Sequence, residues 1–159
     1  MKVVPYDPKY KHDFVEMNRA WISEMFEMEP EDVRELEDIE PAIQRGGNIF
    51  FALDGEENVM ACCMIAPRAD GDWEIMKFAA KGMYTGTGAG SACLQACIDY
   101  ARGKGVEKII IVSNRKCVQA LHLYRKFGFT EIPVDKEKFP FDRADIAFEQ
   151  IFDPNKEAL

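Results

Sequence analysis

The twelve residues Ala80-Lys81-Gly82-Met83-Tyr84-Thr85-Gly86-Thr87-Gly88-Ala89-Gly90-Ser91 join a strand-like apolar run to a helix-like one through three alternating glycines. Glycine admits positive φ and lets another group approach the backbone closely, and the first N–H groups of a following helix have no carbonyl of their own to bond. With the positive end of the helix dipole added, such a loop is an anion site suited to phosphate.

Two well-known phosphate loops do not fit the spacing. A dinucleotide fingerprint needs Gly-x-Gly-x-x-Gly or Ala, whereas Gly86-x-Gly88 is followed by Ser91 in the third place, and the loop lies mid-chain rather than in a leading βαβ unit. The Gly-Lys-Ser or Gly-Lys-Thr of a P-loop is absent. A glycine turn with a purely structural role stays open on the loop alone.

The periodicity around the loop alternates between the two regular patterns. Lys2 to Tyr6 reads as a short strand, and Tyr10, Phe14, Met17, Trp21, Ile22 and Met25 recur at three and four in a helix from about Pro8. A second helix opens at Glu29-Pro30-Glu31-Asp32, runs through Val33, Leu36 and Ile39, and is broken or kinked at Pro41. Asn48 to Leu53, Val59 to Pro67 and Trp73 to Ala80 read as a meander, with Asp54-Gly55 and Ala69-Asp70-Gly71-Asp72 as turns. After the glycines, Cys93, Leu94, Cys97, Ile98 and Ala101 lie at helical spacing up to Gly103-Lys104-Gly105. Lys108 to Ser113 reads as a buried strand, Val118 to Arg125 as a helix, and Ala144 to Phe152 as a last strand. The order is β-α-α-β-β-β-α-β-α-β-β, with no repeat or linker to divide residues 1–159 into more than one domain.

Charge and cysteine content bound the partners. The segment Glu24 to Glu40 holds nine acids against Arg34 and so carries the whole of the net charge of −8. With no basic face, nucleic acid is not an expected partner. The acids read either as a solvated helix face or as an attractor for a cationic substrate. No run approaches the ~18 apolar residues of a membrane span, and Met1 to Asp7 lacks a signal-peptide core. Cys62, Cys63, Cys93 and Cys97 lie inside apolar segments as reduced thiols would. The expectation is a cytoplasmic protein without membrane association.

The strand Glu74 to Ala80, the loop Thr85-Gly86-Thr87-Gly88-Ala89-Gly90, the strand end Ser113-Asn114 and the helix end Ala120-x-x-x-Tyr124-x-x-x-Gly128-Phe129 together resemble the GCN5-related N-acetyltransferases. The downstream helix end, some thirty residues beyond the glycines, makes the match far more specific than the loop does. The resemblance implies an α/β (α+β) fold, with a mixed, mostly antiparallel sheet of six to seven strands flanked by four helices. It implies acetyl-CoA as co-substrate, no metal, and a small-molecule or amino-acid-like amine as acceptor. A homodimer through the final strands is compatible with the size. The family's loop carries Gln or Arg where this chain has Thr85, so the pyrophosphate is assigned to the backbone amides of Gly86, Thr87, Gly88, Ala89, Gly90 and Ser91. The free edge of Phe78, Ala79 and Ala80 is the family's partner for pantetheine. Asn114 matches an asparagine that contacts the cofactor arm, and reads equally as a helix cap.

Acetyl transfer needs an amine that loses its proton, a stabilised oxyanion and a donor for the departing thiolate. The resemblance gives the donor's place to Tyr124, whose plain alternative is a core tyrosine with a satisfied hydroxyl. It gives the base's place to Glu74. Strict alternation along the strand sets Glu74, Met76, Phe78 and Ala80 on one face, and partial burial there is expected to raise the carboxyl's pKa. Arg115, Lys116 and Lys126 are further candidates for phosphate charge. Phe139, Phe141 and Arg143 read either as a pocket for a carboxylate or as a loop covering the core. Beside an active transferase stands a second reading, a non-catalytic acetyl-CoA-binding sensor or partner-dependent module.

Overall fold

A computed structural model of the chain describes residues 1–82 and 86–152. Seven strands form one sheet: β1 (Lys2–Val4), β2 (Asn48–Leu53), β3 (Val59–Pro67), β4 (Trp73–Ala80), β5 (Lys108–Ser113), β6 (Thr130–Ile132) and β7 (Ile146–Ile151). Their order is β1-β2-β3-β4-β5-β7-β6. All neighbours are antiparallel except β4 and β5, which are parallel and joined through a helix.

Among the described residues five α-helices flank the sheet, against an expectation of four. The first is α1 (Lys11–Met25), preceded by a 3-10 turn over Pro8–Tyr10. The acidic segment makes α2 (Pro30–Glu37) and α3 (Ile39–Gln44) rather than one helix with a kink. Pro41 sits in the first turn of α3, where a missing N–H costs nothing, so the proline starts a helix instead of ending one. The other two are α4 (Ala89–Gly103) and α5 (Val118–Lys126).

Alternation divides the core in two. On β3, Ala61, Cys63 and Ile65 pack with Cys93, Leu94 and Cys97 of α4 and Leu121 of α5. Cys62, Met64 and Ala66 pack with Phe14 and Met17 of α1, Leu36 of α2 and Ile39 of α3. Both faces of β3 are therefore covered, as its unbroken apolar sequence requires.

The alternation fails at Met60 of β3, the extra residue between the pairs Ala52–Ala61 and Leu53–Val59, and again on β4. Met64 lies opposite Met76 and Cys62 opposite Ala79, so Cys63 alone faces the two residues Lys77 and Phe78. This is a β-bulge, and Lys77 takes a left-handed φ of 53° in it. The extra residue corrects the expected facing: Phe78 joins Ile75 on the α4 side, while Met76 and Ala79 stay on the α1–α3 side.

Ion pairs hold the bulge to one helix beneath it, α2. The Nζ of Lys77 lies 3.0 Å from Asp32 Oδ1 and 2.9 Å from Glu35 Oε1. Asp32 also accepts two bonds from Arg143, at 2.7 and 2.6 Å, and Arg143 reaches Glu29 at 3.0 Å. One carboxylate thus joins α2, β4 and the loop before β7. Burial alone would raise the Asp32 pKa, but the Arg143 hydrogen bonds and the Lys77 charge pull it down to about 2.

Removing the Asp32 charge leaves two cations under-compensated. We expect Asp32→Asn to destabilise the fold by on the order of 3 kcal/mol, as read from denaturant midpoints at neutral pH. Its folded pKa is depressed, so its contribution is present above the ordinary aspartate value and lost as pH falls through about 2. The variant's penalty should therefore shrink over that acid range.

Candidate active site

The parallel pairing of β4 and β5 consists of Trp73 with Ile109 and Glu74 with Ile110, although both strands run on beyond it. Past that point they part. A cavity of about 1020 Å³ opens between them, reaching from α2 and Phe141 at one end to the start of α4 at the other.

At the α4 end the site is backbone. Gly86 and Gly88 have φ of 85° and 87°, and Gly88 is the N-cap of α4. Gly86, Gly88, Gly90 and Ser91 line the cavity; Ala89 is buried, and its N–H is directed 3.4 Å to the hydroxyl of Thr87. Gly90 serves packing as well: a Cβ there would stand 3.0 Å from the Phe78 ring, so its absence lets α4 start against β4. Thr85 lies outside the described residues. Phe78, Ala79 and Ala80 line the cavity on its β4 side, above this helix start.

Tyr124 forms the wall from α5. Its ring is 5% exposed and packs 6.2 Å from Phe78 and 5.6 Å, edge on, from Phe148. Its hydroxyl has no hydrogen-bond partner among the described residues, although the residue lines the cavity. Burial, with Cys63 and Cys117 nearby, pushes the phenol above the ordinary tyrosine range, so it stays protonated at any working pH.

Glu74 is on the same cavity wall as the cluster below β4 and is 3% exposed. Its Oε1 accepts from Arg68 Nη1 at 3.0 Å. Burial first, and the neighbouring Glu35 second, raise its pKa to about 8 against the opposing pull of Arg68 and Lys77. Burial raises Glu35 too, while Lys77 opposes it.

Asn114 lines the cavity, but its polar atoms are engaged. Its Oδ1 accepts from Lys116 N at 2.8 Å and its Nδ2 donates to Arg143 O at 2.6 Å. It closes a turn two residues on and ties that turn to the loop before β7, while Cys117 holds the N-cap position of α5. Arg143 is likewise taken up, by Asp32 and Glu29, and Phe139 and Phe141 are buried beneath Arg68 and Arg143. This loop covers the core and closes one end of the cavity.

Reading the residues along the chain missed Glu35, Lys77 and Arg68. Along the chain the acids of α2 read as one cluster, yet Asp32 is fully buried and Glu35 lines the cavity. An aspartate two places beyond a helix-starting proline and a lysine within an apolar strand were the available signals for Asp32 and Lys77. Nothing local marks Arg68, whose partner Glu74 lies across the turn between β3 and β4.

A model described as the Acetyltransferase (GNAT) family matches residues 12–129. No curated protein sequence matches the chain. Among solved structures, a GNAT-family acetyltransferase from Staphylococcus aureus Mu50 superposes with a TM-score of 0.84 at 18% identity, over 96% of this chain and 99% of that one. The PaiA N-acetyltransferase of Thermoplasma acidophilum, in complex with coenzyme A, gives 0.70 at 15% identity over 96% and 100%. A Salmonella typhimurium protein solved with its cofactor acetyl-CoA gives 0.73 at 17% identity over 96% and 94%. These likenesses speak for the fold, and the match over residues 12–129 decides descent: the chain belongs to the GNAT acetyltransferase family.

Proposed function

We propose that the protein moves the acetyl group of acetyl-CoA to the primary amine of a small molecule by direct attack in a ternary complex. The observation that carries this reading is the parting of β4 and β5 over one cavity shared by the α4 start, the Tyr124 hydroxyl and Glu74. Acetyl-CoA supplies an activated acyl group with a thiol as leaving group. The free edge of Phe78 to Ala80 offers strand-like pairing to an amide-bearing arm, and the cavity continues from that edge to the start of α4. Gly90 and Ser91, in the first turn of a fifteen-residue helix, line the same space, and the unpaired N–H groups of such a turn suit a pyrophosphate.

Tyr124 is the proton donor to the departing sulfur, a role favoured by a hydroxyl that has a proton at every working pH and no hydrogen-bond partner among the described residues. Glu74 is the base. Its raised pKa lets it hold the amine's proton near neutrality, and Arg68 fixes its orientation. The four buried free cysteines, Cys62, Cys63, Cys93 and Cys97, fit a reducing compartment and hence a cytoplasmic site of action.

Thiol release from acetyl-CoA across an amine panel tests the proposal directly. Binding of acetyl-CoA without turnover of any amine would support a non-catalytic module instead. Tyr124→Phe should lower kcat by about 100-fold while KM for acetyl-CoA changes little.

Because the carboxylate of Glu74 is the active form and its pKa is raised, kcat should climb with pH and level off above about 8. Glu74→Gln should abolish that limb, with the larger loss on the alkaline side where the wild-type group is ionised.

Gly88 already has positive φ and a Cβ there has room, meeting Met1 Cε at 3.9 Å. Gly88→Asp should raise the acetyl-CoA Kd by about tenfold or more by setting a negative charge at the helix start. Gly88→Asn, which tolerates the left-handed region, should cost much less. An unchanged Kd for Gly88→Asp would remove the α4 start as the phosphate site.

A further inference from the structure

We infer that the acceptor is a primary amine with an apolar body and no carboxylate on the carbon next to the nitrogen. This rests on the acetyltransferase reading above and concerns the end of the cavity near α2.

Glu35, Glu74, Lys77 and Arg143 all line that end. The cations are already spent on this chain's own carboxylates. Lys77 lies between Asp32 and Glu35, at 3.0 and 2.9 Å. Arg143 makes a two-point bond to Asp32 and a third contact to Glu29. Arg68 divides itself between Glu74, at 3.0 Å, and Asp70, at 3.3 Å. With Glu74 in its ionised, active form, Glu29, Asp32, Glu35 and Glu74 outnumber Arg68, Lys77 and Arg143, and among the described residues an incoming carboxylate finds no buried cation without a partner. A carboxylate attached beside the reacting nitrogen has to enter this region with it, and like charges within a few ångströms in a water-poor wall repel strongly.

The same wall is built to receive an amine. Glu74 engages Arg68 through Oε1, and its Oε2 has no hydrogen-bond partner among the described residues. The Tyr124 hydroxyl, on a residue 95% buried, also lacks one and belongs to the same cavity. Both are positioned to hydrogen-bond a ligand that carries N–H groups. Trp21, Met25, Phe26 and Phe141 supply the remaining surface and suit hydrocarbon. Lys116 stands 5.8 Å over the Phe26 ring, but it is solvent-exposed, where water and salt weaken its pull on an anion.

The test compares matched acceptors on the intact protein. For side chains from methyl to benzyl, kcat/KM is measured for the decarboxylated amine, the α-amino acid and its primary amide; the amide keeps the bulk and removes the charge. We expect amine and amide to fall within about tenfold of each other and the α-amino acid at least about 100-fold below both, in line with one unscreened charge repulsion. Glu35→Gln should narrow that gap by about tenfold and Glu35→Asp should preserve it, a selectivity readout that general loosening of the fold does not move. An α-amino acid used as well as its amide, or a gap left at full size by Glu35→Gln, overturns the inference while leaving the transferase reading intact. Failure of every amine to be acetylated, with acetyl-CoA still bound, overturns the transferase reading and this inference with it.

Discussion

A sheet that parts in its middle leaves backbone donors and acceptors without a neighbouring strand, and buried groups of that kind are costly unless something bonds them. β4 and β5 share two residue pairs and then separate. The rest of the molecule is arranged around that separation. The sheet continues on both sides of it, to β1 through antiparallel neighbours on one side and to β6 through β7 on the other. The two strands are therefore anchored at their outer edges and free at their inner ones. A ligand with regularly spaced amides is the natural completion of such an edge, and the proposed cofactor carries an arm of that kind.

The bulge makes the edge usable in two ways. It turns Phe78 toward α4, where the lack of a side chain at Gly90 admits the ring, and it leaves Lys77 within reach of α2. On one side of β4 the contact is therefore apolar and close, and on the other it is ionic. Ionic contacts of this depth give little net stability, because each charge gives up water to make them. What they provide here is placement. Asp32, Lys77 and Arg143 fix α2, the strand and the closing loop with respect to one another, and they leave Glu74 in a setting where burial and Glu35 oppose its ionisation.

Much of this was legible along the chain because it follows from local chemistry. Asn48–Leu53, Val59–Pro67, Trp73–Ala80 and Lys108–Ser113 have the expected limits, since turn residues bound apolar runs of strand length. Phe78, Ala79, Ala80, Gly86, Gly88, Gly90, Ser91, Tyr124 and Glu74 line one cavity, and their cofactor-binding and catalytic roles are those proposed above. What escaped depends on distance in sequence. The break between α2 and α3 turns on which helix Pro41 belongs to, and the roles of Glu35, Arg68 and Arg143 turn on partners that arrive from other elements. The facing of Phe78 escaped for a different reason. A strand of eight apolar or long side chains does not announce an extra residue, and Lys77 has no glycine-like signature for its positive φ.

That extra residue acts as a half-period phase shift. Upstream of Lys77 and downstream of Phe78 the strand has opposite parity, so odd positions face α4 before the bulge and even ones after it. Two chains of this architecture can then agree in every apolar residue and still disagree about which of them meet ligand, if one carries the insertion a place earlier. Aligning such chains across this strand by hydrophobicity alone superimposes inward residues on outward ones. The reliable anchors are the pairs that flank the shift, Met64 with Met76 and Cys62 with Ala79, because hydrogen-bond register records a phase that side-chain character does not.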